Sequence, residues 1–350
     1  MTDLEVLTPR EVPLGGPRAM TVRRTLPQRQ RTLIGAWCFL DHYGPDDVAE
    51  TGGMVVAPHP HIGLQTVSWL FTGEVEHRDS AGNVATVRPG ELNLMTAGRG
   101  ISHSEVSPAT TTVLHGAQLW VALPSGSRDV DPGFVHHAPD PVVRDGLEAR
   151  VFLGSLLGVT SPVATHTPLL GAELLLQPGA RVELEVDPAH EHGVLVDAGT
   201  VALDGEGGDQ PLDQPLDQTL GRDELGYVAP GRDRLVLVAG DEPARLLLIG
   251  GPPFGEQVVM WWNFLGSTHE EVVAAREAWQ AQVVAADDDT ECPETHPDAA
   301  GGLAERPAAL QRVVPTGADV RPGRFGVVPG QPLAPIPAPP LPNARLRARG

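Results

Sequence analysis

Two histidines stand one residue apart in PHPHIGLQ (residues 58–65), and a histidine and a glutamate repeat the spacing in TAGRGISHSEV (96–106). Successive strand residues point to opposite faces, so on a strand His59 and His61 share one face, with Cα atoms roughly 6–7 Å apart. Metal–nitrogen bonds of about 2 Å put neighbouring ligand atoms about 3 Å apart, within reach of imidazoles on that stem. Pro60 is tolerated if the strand is an edge. An isolated His-x-His is as readily two unrelated surface histidines. The second half of the clip, His103 and Glu105, favours chemistry. If both segments are strands of one barrel, His59, His61, His103 and Glu105 converge. Three imidazoles and a carboxylate, without thiolate, suit a borderline first-row metal, and four protein ligands on an octahedral ion leave two open positions. Gly98 and Gly100 permit the turn that delivers His103.

The elements that must position these groups read as short strands. The chain has 350 residues with 40 glycines and 35 prolines, a composition of turns and strands more than of long helices. Strands are predicted at Thr66–Phe71, Val84–Val87, Glu91–Met95 and Gln118–Ala122, and in a second block at 150–153, 172–176, 182–186, 194–196, 234–239 and 245–249. There is no βαβ alternation, so the fold class predicted is all-β: two antiparallel barrels or sandwiches. The division expected is a metal-binding domain over 1–123, a connection over 124–147, a second domain over 148–284 and a Pro-rich tail over 285–350. One helix is predicted over 268–283, capped by Ser267 or Thr268, with Val272, Ala275, Trp279 and Val283 at helical spacing. The PLDQ repeat in 209–220 reads as an expanded hairpin loop, and 286–302 as disordered. The prolines near the end favour extended structure, either a loose tail or a strap across the surface.

Net charge is −20 and the pI about 4.9, which disfavours nucleic acid and anionic membranes. Two cysteines, Cys38 and Cys292, make no disulfide framework. With no apolar signal core and no run of about 20 apolar residues, a cytoplasmic protein is expected. A second His-x-His, HEH (190–192), lacks a histidine in the strands after it, and two ligands make a poor site.

Gly53, His59, His61 and Gly73 resemble the first cupin motif, and Arg88–Pro89–Gly90 leading to His103 resembles the second. More narrowly, residues 58–83, MTAGRGISHSE (95–105) and HGAQLWVALP (115–124) resemble the pirin family, a group of two-cupin proteins. GGPPFGEQVVMWWNF (250–264) is similar to the second domain of bacterial pirin-like proteins, and RFGVVPG with PAPPLP (324–342) to the end of some of them, which favours the strap. The resemblance implies Fe(II), one per chain, on His59, His61, His103 and Glu105, with other divalent first-row metals as alternatives. It implies a degenerate second cupin packed on the first. Pirins usually carry Glu where this chain has Gln65; an inward Gln65 removes a negative charge near the metal and alters redox potential or substrate choice.

The resemblance further implies a flavonol 2,4-dioxygenase of quercetin type, acting on a small aromatic or phenolic substrate with dioxygen. Glu105 is then a ligand or, on loosening, the catalytic base. Met54, Met95 and Trp120 are candidate apolar walls, or ordinary core, and Gln118 a candidate hydrogen-bond partner of a ligand or substrate. The rival expectation is an iron- and redox-dependent regulatory protein that binds a protein partner without turnover. A cupin isomerase with no redox metal is a third. A monomer is expected.

Overall fold

The structure, a computed structural model, describes residues 4–14, 20–203, 218–287 and 323–350. The chain is mostly strand and forms two halves, each a seven-stranded sheet faced by a four-stranded one. In the first half the large sheet runs in the order Gly133–His137, Leu92–Thr96, Leu64–Thr72, Val113–Ala122, Trp37–Asp47, Thr21–Leu26, Arg10–Pro13. Its small partner runs Val55–His61, Ile101–Val106, Val75–Asp79, Val84–Val87. All the pairings within these sheets are antiparallel. Pro60 does sit on an edge strand, where a missing N–H costs no ladder bond.

The second half repeats the plan. Leu225–Val228, Glu191–Ala198, Ala244–Gly251, Leu170–Leu176 and Leu147–Leu153 are consecutive in its large sheet. Arg181–Glu185, Arg234–Ala239, Val201–Leu203 and Gln218–Leu220 form the small one. The two large sheets pack against each other through a shared apolar layer that includes Trp37, Trp69, Phe152, Leu195, Leu247 and Ile249. Trp69 stacks on Phe152 across it, ring centroids 4.4 Å apart.

Two segments cross the division expected at residue 123. Leu4–Leu7 pairs with Leu225–Val228 and so belongs to the second half's sheet. Gly133–His137, expected in the connection, pairs with Leu92–Thr96 in the first. The reason is common to both: a sheet edge exposes unpaired N–H and C=O groups, and a neighbouring segment covers them.

The helix runs His269–Asp287. Thr268 Oγ1 accepts from the N–H of Glu271 at 3.2 Å, and Glu271 Oε2 accepts from the N–H of Ser267 at 2.8 Å, a variant of the expected capping box. Val272, Ala275, Trp279 and Val283 face inward. Residues 323–350 lie along this helix and the small sheet as a strap. Phe325 and Ala338 are buried with Trp279, and Trp279 Nε1 donates to the Ile336 carbonyl at 2.9 Å. Most of the PLDQ repeat, 204–217, and the segment 288–322 with Cys292 and His296 lie outside the described residues. Among the described residues no helix is long and apolar enough to cross a membrane.

Candidate metal centre

His59 and His61 come from the edge strand Val55–His61, and His103 from its neighbour Ile101–Val106, where it lies directly opposite His59. The turn that feeds the second strand contains Gly98 at φ +51; a Cβ there would stand 2.0 Å from the carbonyl oxygen of Val130. Only glycine fits that approach. The three imidazoles offer ligand nitrogens all within 4.8 Å of one another. His61 Nε2 and His103 Nε2 are 3.0 Å apart, the separation of adjacent ligands on a cation with bonds of about 2 Å. The Ala57 carbonyl oxygen lies 2.9 Å from His59 Nδ1. It takes that proton and leaves Nε2 as the free lone pair.

Burial disfavours charge on all three rings. His59 is lowered to about 4, and His61 and His103 fall well below the usual histidine range, each further depressed by its neighbouring histidines. Neutral imidazoles are the form that binds a metal.

Glu105 is buried, and burial raises its carboxyl above the ordinary value, against smaller opposing effects of His77 and a hydrogen bond from Ser68. Its carboxylate shares a second group with His77 and His103, ligand atoms again within 4.8 Å. Unbroken antiparallel register with the strand Val75–Asp79 explains the placement: Glu105 lies two residues on from His103, on the same face. Glu105 therefore stands opposite His77, while the extra residue of a β-bulge lies on the other side, in Val55–His61 between Val56 and His59.

His77 is the residue that sequence reasoning missed. Its Nδ1 is 3.3 Å from His103 Nδ1, and its Nε2 is 3.3 Å from Asp79 Oδ2. One set of tautomers satisfies the whole run. His77 Nε2–H donates to Asp79, His103 Nδ1–H donates to His77 Nδ1, and His103 Nε2 keeps its lone pair for a cation. A carboxylate or histidine behind a ligand fixes its tautomer and raises its basicity. The His77→Ala variant is therefore expected to stay folded and to bind metal roughly 10–100-fold more weakly. Competition with a chromophoric chelator measures this, and unchanged affinity would remove the relay from the site.

The other predicted residues fall in distinct places. Gln118 and Ser68 are opposite each other on neighbouring strands. Ser68 Oγ is 2.9 Å from Gln118 Oε1 and 3.2 Å from Glu105 Oε1. Trp120 meets His61 edge-on at 5.2 Å and stacks on Phe39 at 3.9 Å. Met95 belongs to the apolar cluster of Trp120, Phe39 and Leu64. Met54 packs elsewhere, with Met20, Val22 and Tyr43. Gln65 is buried and donates to Thr96 Oγ1 at 2.8 Å. His61 and His103 keep only 1% of their surface, whereas His59, Ser68, Glu105 and Trp120 keep 6% and Gln118 5%. What exposure remains at the centre thus belongs to His59, Ser68, Glu105, Trp120 and Gln118 more than to His61 and His103.

The strap covers the other face of the ligand strands. The Ser102 hydroxyl donates to the Phe325 carbonyl at 3.0 Å, Gln331 donates to Ser104 Oγ at 2.8 Å, and the Ile336 N–H donates to the Pro58 carbonyl at 2.8 Å. It thus grips both ligand strands.

The second His-x-His is not joined by a third ligand among the described residues. Both ring nitrogens of His192 are buried without a hydrogen-bond partner, and burial, with His190 nearby, lowers it to about 4. The unfolded chain takes up this proton near pH 6.5, and the folded one only near 4. Stability is therefore undiminished above 6.5 and falls as the pH drops from 6.5 towards 4, by about 1.4 kcal/mol per unit. His192→Leu is expected to remove roughly 2 kcal/mol of the wild-type loss between pH 7 and 5 in denaturant titrations. Equal losses in both proteins would refute the assignment.

Comparison with known proteins bears on this centre. The family profile described as Pirin matches residues 19–121, and that described as Pirin C-terminal cupin domain matches 171–285. A Pseudomonas aeruginosa protein provisionally named quercetin 2,3-dioxygenase is 44% identical over 278 residues, 79% of this chain and 84% of that one. A pirin-like protein of Caulobacter vibrioides is 35% identical over 271 residues, 74% of this chain and 88% of that one. A crystal structure titled quercetin 2,3-dioxygenase from Acinetobacter baumannii superposes with TM-score 0.79 at 35% identity, covering 99% of this chain and 97% of that one.

Proposed function

The chain belongs to the pirin family, and from that premise we propose that it is a mononuclear iron dioxygenase of flavonols, cleaving quercetin-type substrates by 2,4-dioxygenation. The observation that carries the reading is the convergence of His59, His61 and His103 beside a buried carboxylate. The donor set fits the ion: three neutral imidazoles and a carboxylate, without thiolate.

In this reading His59, His61 and His103 hold Fe(II), with Glu105 completing the set or standing free beside it. When bound, the iron supplies open coordination positions and redox chemistry towards dioxygen. The remaining work falls to the protein. Trp120, backed by Phe39, offers a flat apolar wall next to His61 for an aromatic ring. Glu105, whose carboxyl burial raises, takes the proton of the substrate hydroxyl at its carboxylate oxygen. Ser68 and Gln118 orient that carboxylate. The strap and the closed small sheet keep bulk water from the far side of the ligands.

The test is aerobic quercetin consumption by the Fe(II)-loaded protein, with carbon monoxide followed as product. Turnover that saturates with substrate and vanishes in His59→Ala is the expected result. Stoichiometric iron without turnover would overturn the enzyme reading and direct the search to partners that distinguish ferric from ferrous protein.

A further inference from the structure

A second cluster of ligating groups lies where the two large sheets meet. His42 comes from the strand Trp37–Asp47 and His115 from Val113–Ala122, both in the first half; Asp197 comes from Glu191–Ala198 in the second. No two of them are near in sequence. His42 and Asp197 are almost wholly buried and His115 nearly so, and their ligand atoms all lie within 4.8 Å of one another. His42 Nε2 is 2.7 Å from Asp197 Oδ1, and His115 Nε2 is 2.5 Å from the same oxygen.

The other nitrogen of His42 decides what this arrangement asks for. Nδ1 is 2.8 Å from Asp223 Oδ1 and Nε2 hydrogen-bonds Asp197 Oδ1 at 2.7 Å, so the ring is held between two carboxylates, one from each side. His115 Nε2 approaches the same oxygen but makes no aligned hydrogen bond. His42 Nε2, His115 Nε2 and Asp197 Oδ1 thus converge in a buried space, where a cation that displaces the protons shared between them finds three ligands already assembled. Asp223 behind His42 is the carboxylate–histidine support that metal ligands use. Burial alone would raise the Asp197 carboxyl, but the two imidazoles hold it well below its usual range, as a ligand-ready anion.

The charges packed around the cluster leave room for this. Arg245 takes the other oxygen, Oδ2, at 3.2 Å and reaches Glu173 at 3.5 Å. Arg23 is engaged by Asp223 at 2.8 Å and by the Gly44 carbonyl at 2.6 Å, and is 3.4 Å from His42 Nδ1; Arg222 reaches Asp223 from the surface at 3.9 Å. None of the arginines takes Asp197 Oδ1. His115 and Asp197 also line a cavity of about 630 Å³, with Arg144, Arg222 and Arg245 on its wall. An ion here would have its open side towards that cavity, and the arginines would offset the charge of an anionic co-ligand.

We propose that His42, His115 and Asp197 form a second binding site for a first-row divalent cation, at the seam between the two halves. Two imidazoles and one carboxylate with an open side suit Zn(II), Co(II) or Ni(II). The ion would join strands of both halves, so its binding is also a contribution to the stability of the whole chain.

The full-length protein, made metal-free, is loaded with Zn(II), dialysed and assayed for metal and protein. Two equivalents per chain are expected in the wild type, and one in each of His103→Gln and His115→Gln. The decisive variant is His103→Gln, which cripples the first site and leaves the seam intact. It should keep close to one equivalent, and its melting temperature should rise with added Zn(II). That rise should disappear in the double variant His103→Gln/His115→Gln. A folded His103→Gln protein that keeps no zinc and shows no shift would overturn the proposal, leaving His42, His115 and Asp197 as a proton-shared seam only.

Discussion

His103→Ala should strip the first-domain centre of its metal. Structural zinc sites with four ligands bind with about 10–16 kcal/mol, so one ligand accounts for roughly 3 kcal/mol, or more than a hundredfold in affinity. His103 should exceed that average, because it is the junction of the site. It faces His61 at 3.0 Å, stands opposite His59 in the sheet, and receives the support of His77 and Asp79 from behind. Removing it leaves His77 with an empty partner and breaks the run of tautomers. The variant should lose at least nine-tenths of the metal of this centre after dialysis, and quercetin turnover should fall below detection. Retention of full metal content beyond that attributable to the seam would refute the assignment.

The second large effect is on stability. Trp69 is fully buried in the first half's large sheet, and its ring lies on Phe152 of the second. Trp69→Ala removes one of the two tryptophans from the layer that both halves share, at an expected cost of about 3–5 kcal/mol. Because the layer is common, far-UV circular dichroism in urea should show one transition moved to lower denaturant for the whole chain. A loss below about 1 kcal/mol, or a second half that melts alone, would mean that the layer is not a shared core.

The convergence of His59, His61 and His103 is legible in the sequence because its signal is local. A period of two places His59 and His61 on one face, and the same parity in HSE brings the second strand to them. The capping of the helix at Thr268 and its inward stripe were legible for the same reason. What lay beyond the sequence depends on sheet order. His77 stands alone in VEHRD, and nothing in that stretch shows that its strand neighbours the His103 strand. That Glu105 meets His77 and His103 as one group, apart from His59 and His61, depends on that same strand order. His42, His115 and Asp197 are separated by scores of residues, and only the packing of two sheets brings them together. The strands Val55–His61 and Ile101–Val106 were inferred from their ligands; their own composition, with Pro58, Pro60 and two serines, argues weakly for strand. The strap was one of two readings of a proline-rich end, and buried Phe325 and Ala338 distinguish it from a loose tail.

The pairing of Leu4–Leu7 with Leu225–Val228 has a consequence for how the chain acquires its shape. Leu4–Leu7 finds its place only after a partner more than two hundred residues later in the chain is available. Such long-range pairing makes loop closure a large part of the folding barrier and slows assembly. It also means that the halves cannot be parted at their connection. A fragment starting at residue 124 would leave the edge of Leu225–Val228 bare, a ready template for pairing with another molecule. Two repeated sheets are thereby sewn together by one short strand, whose pairing ties the folding of one half to that of the other.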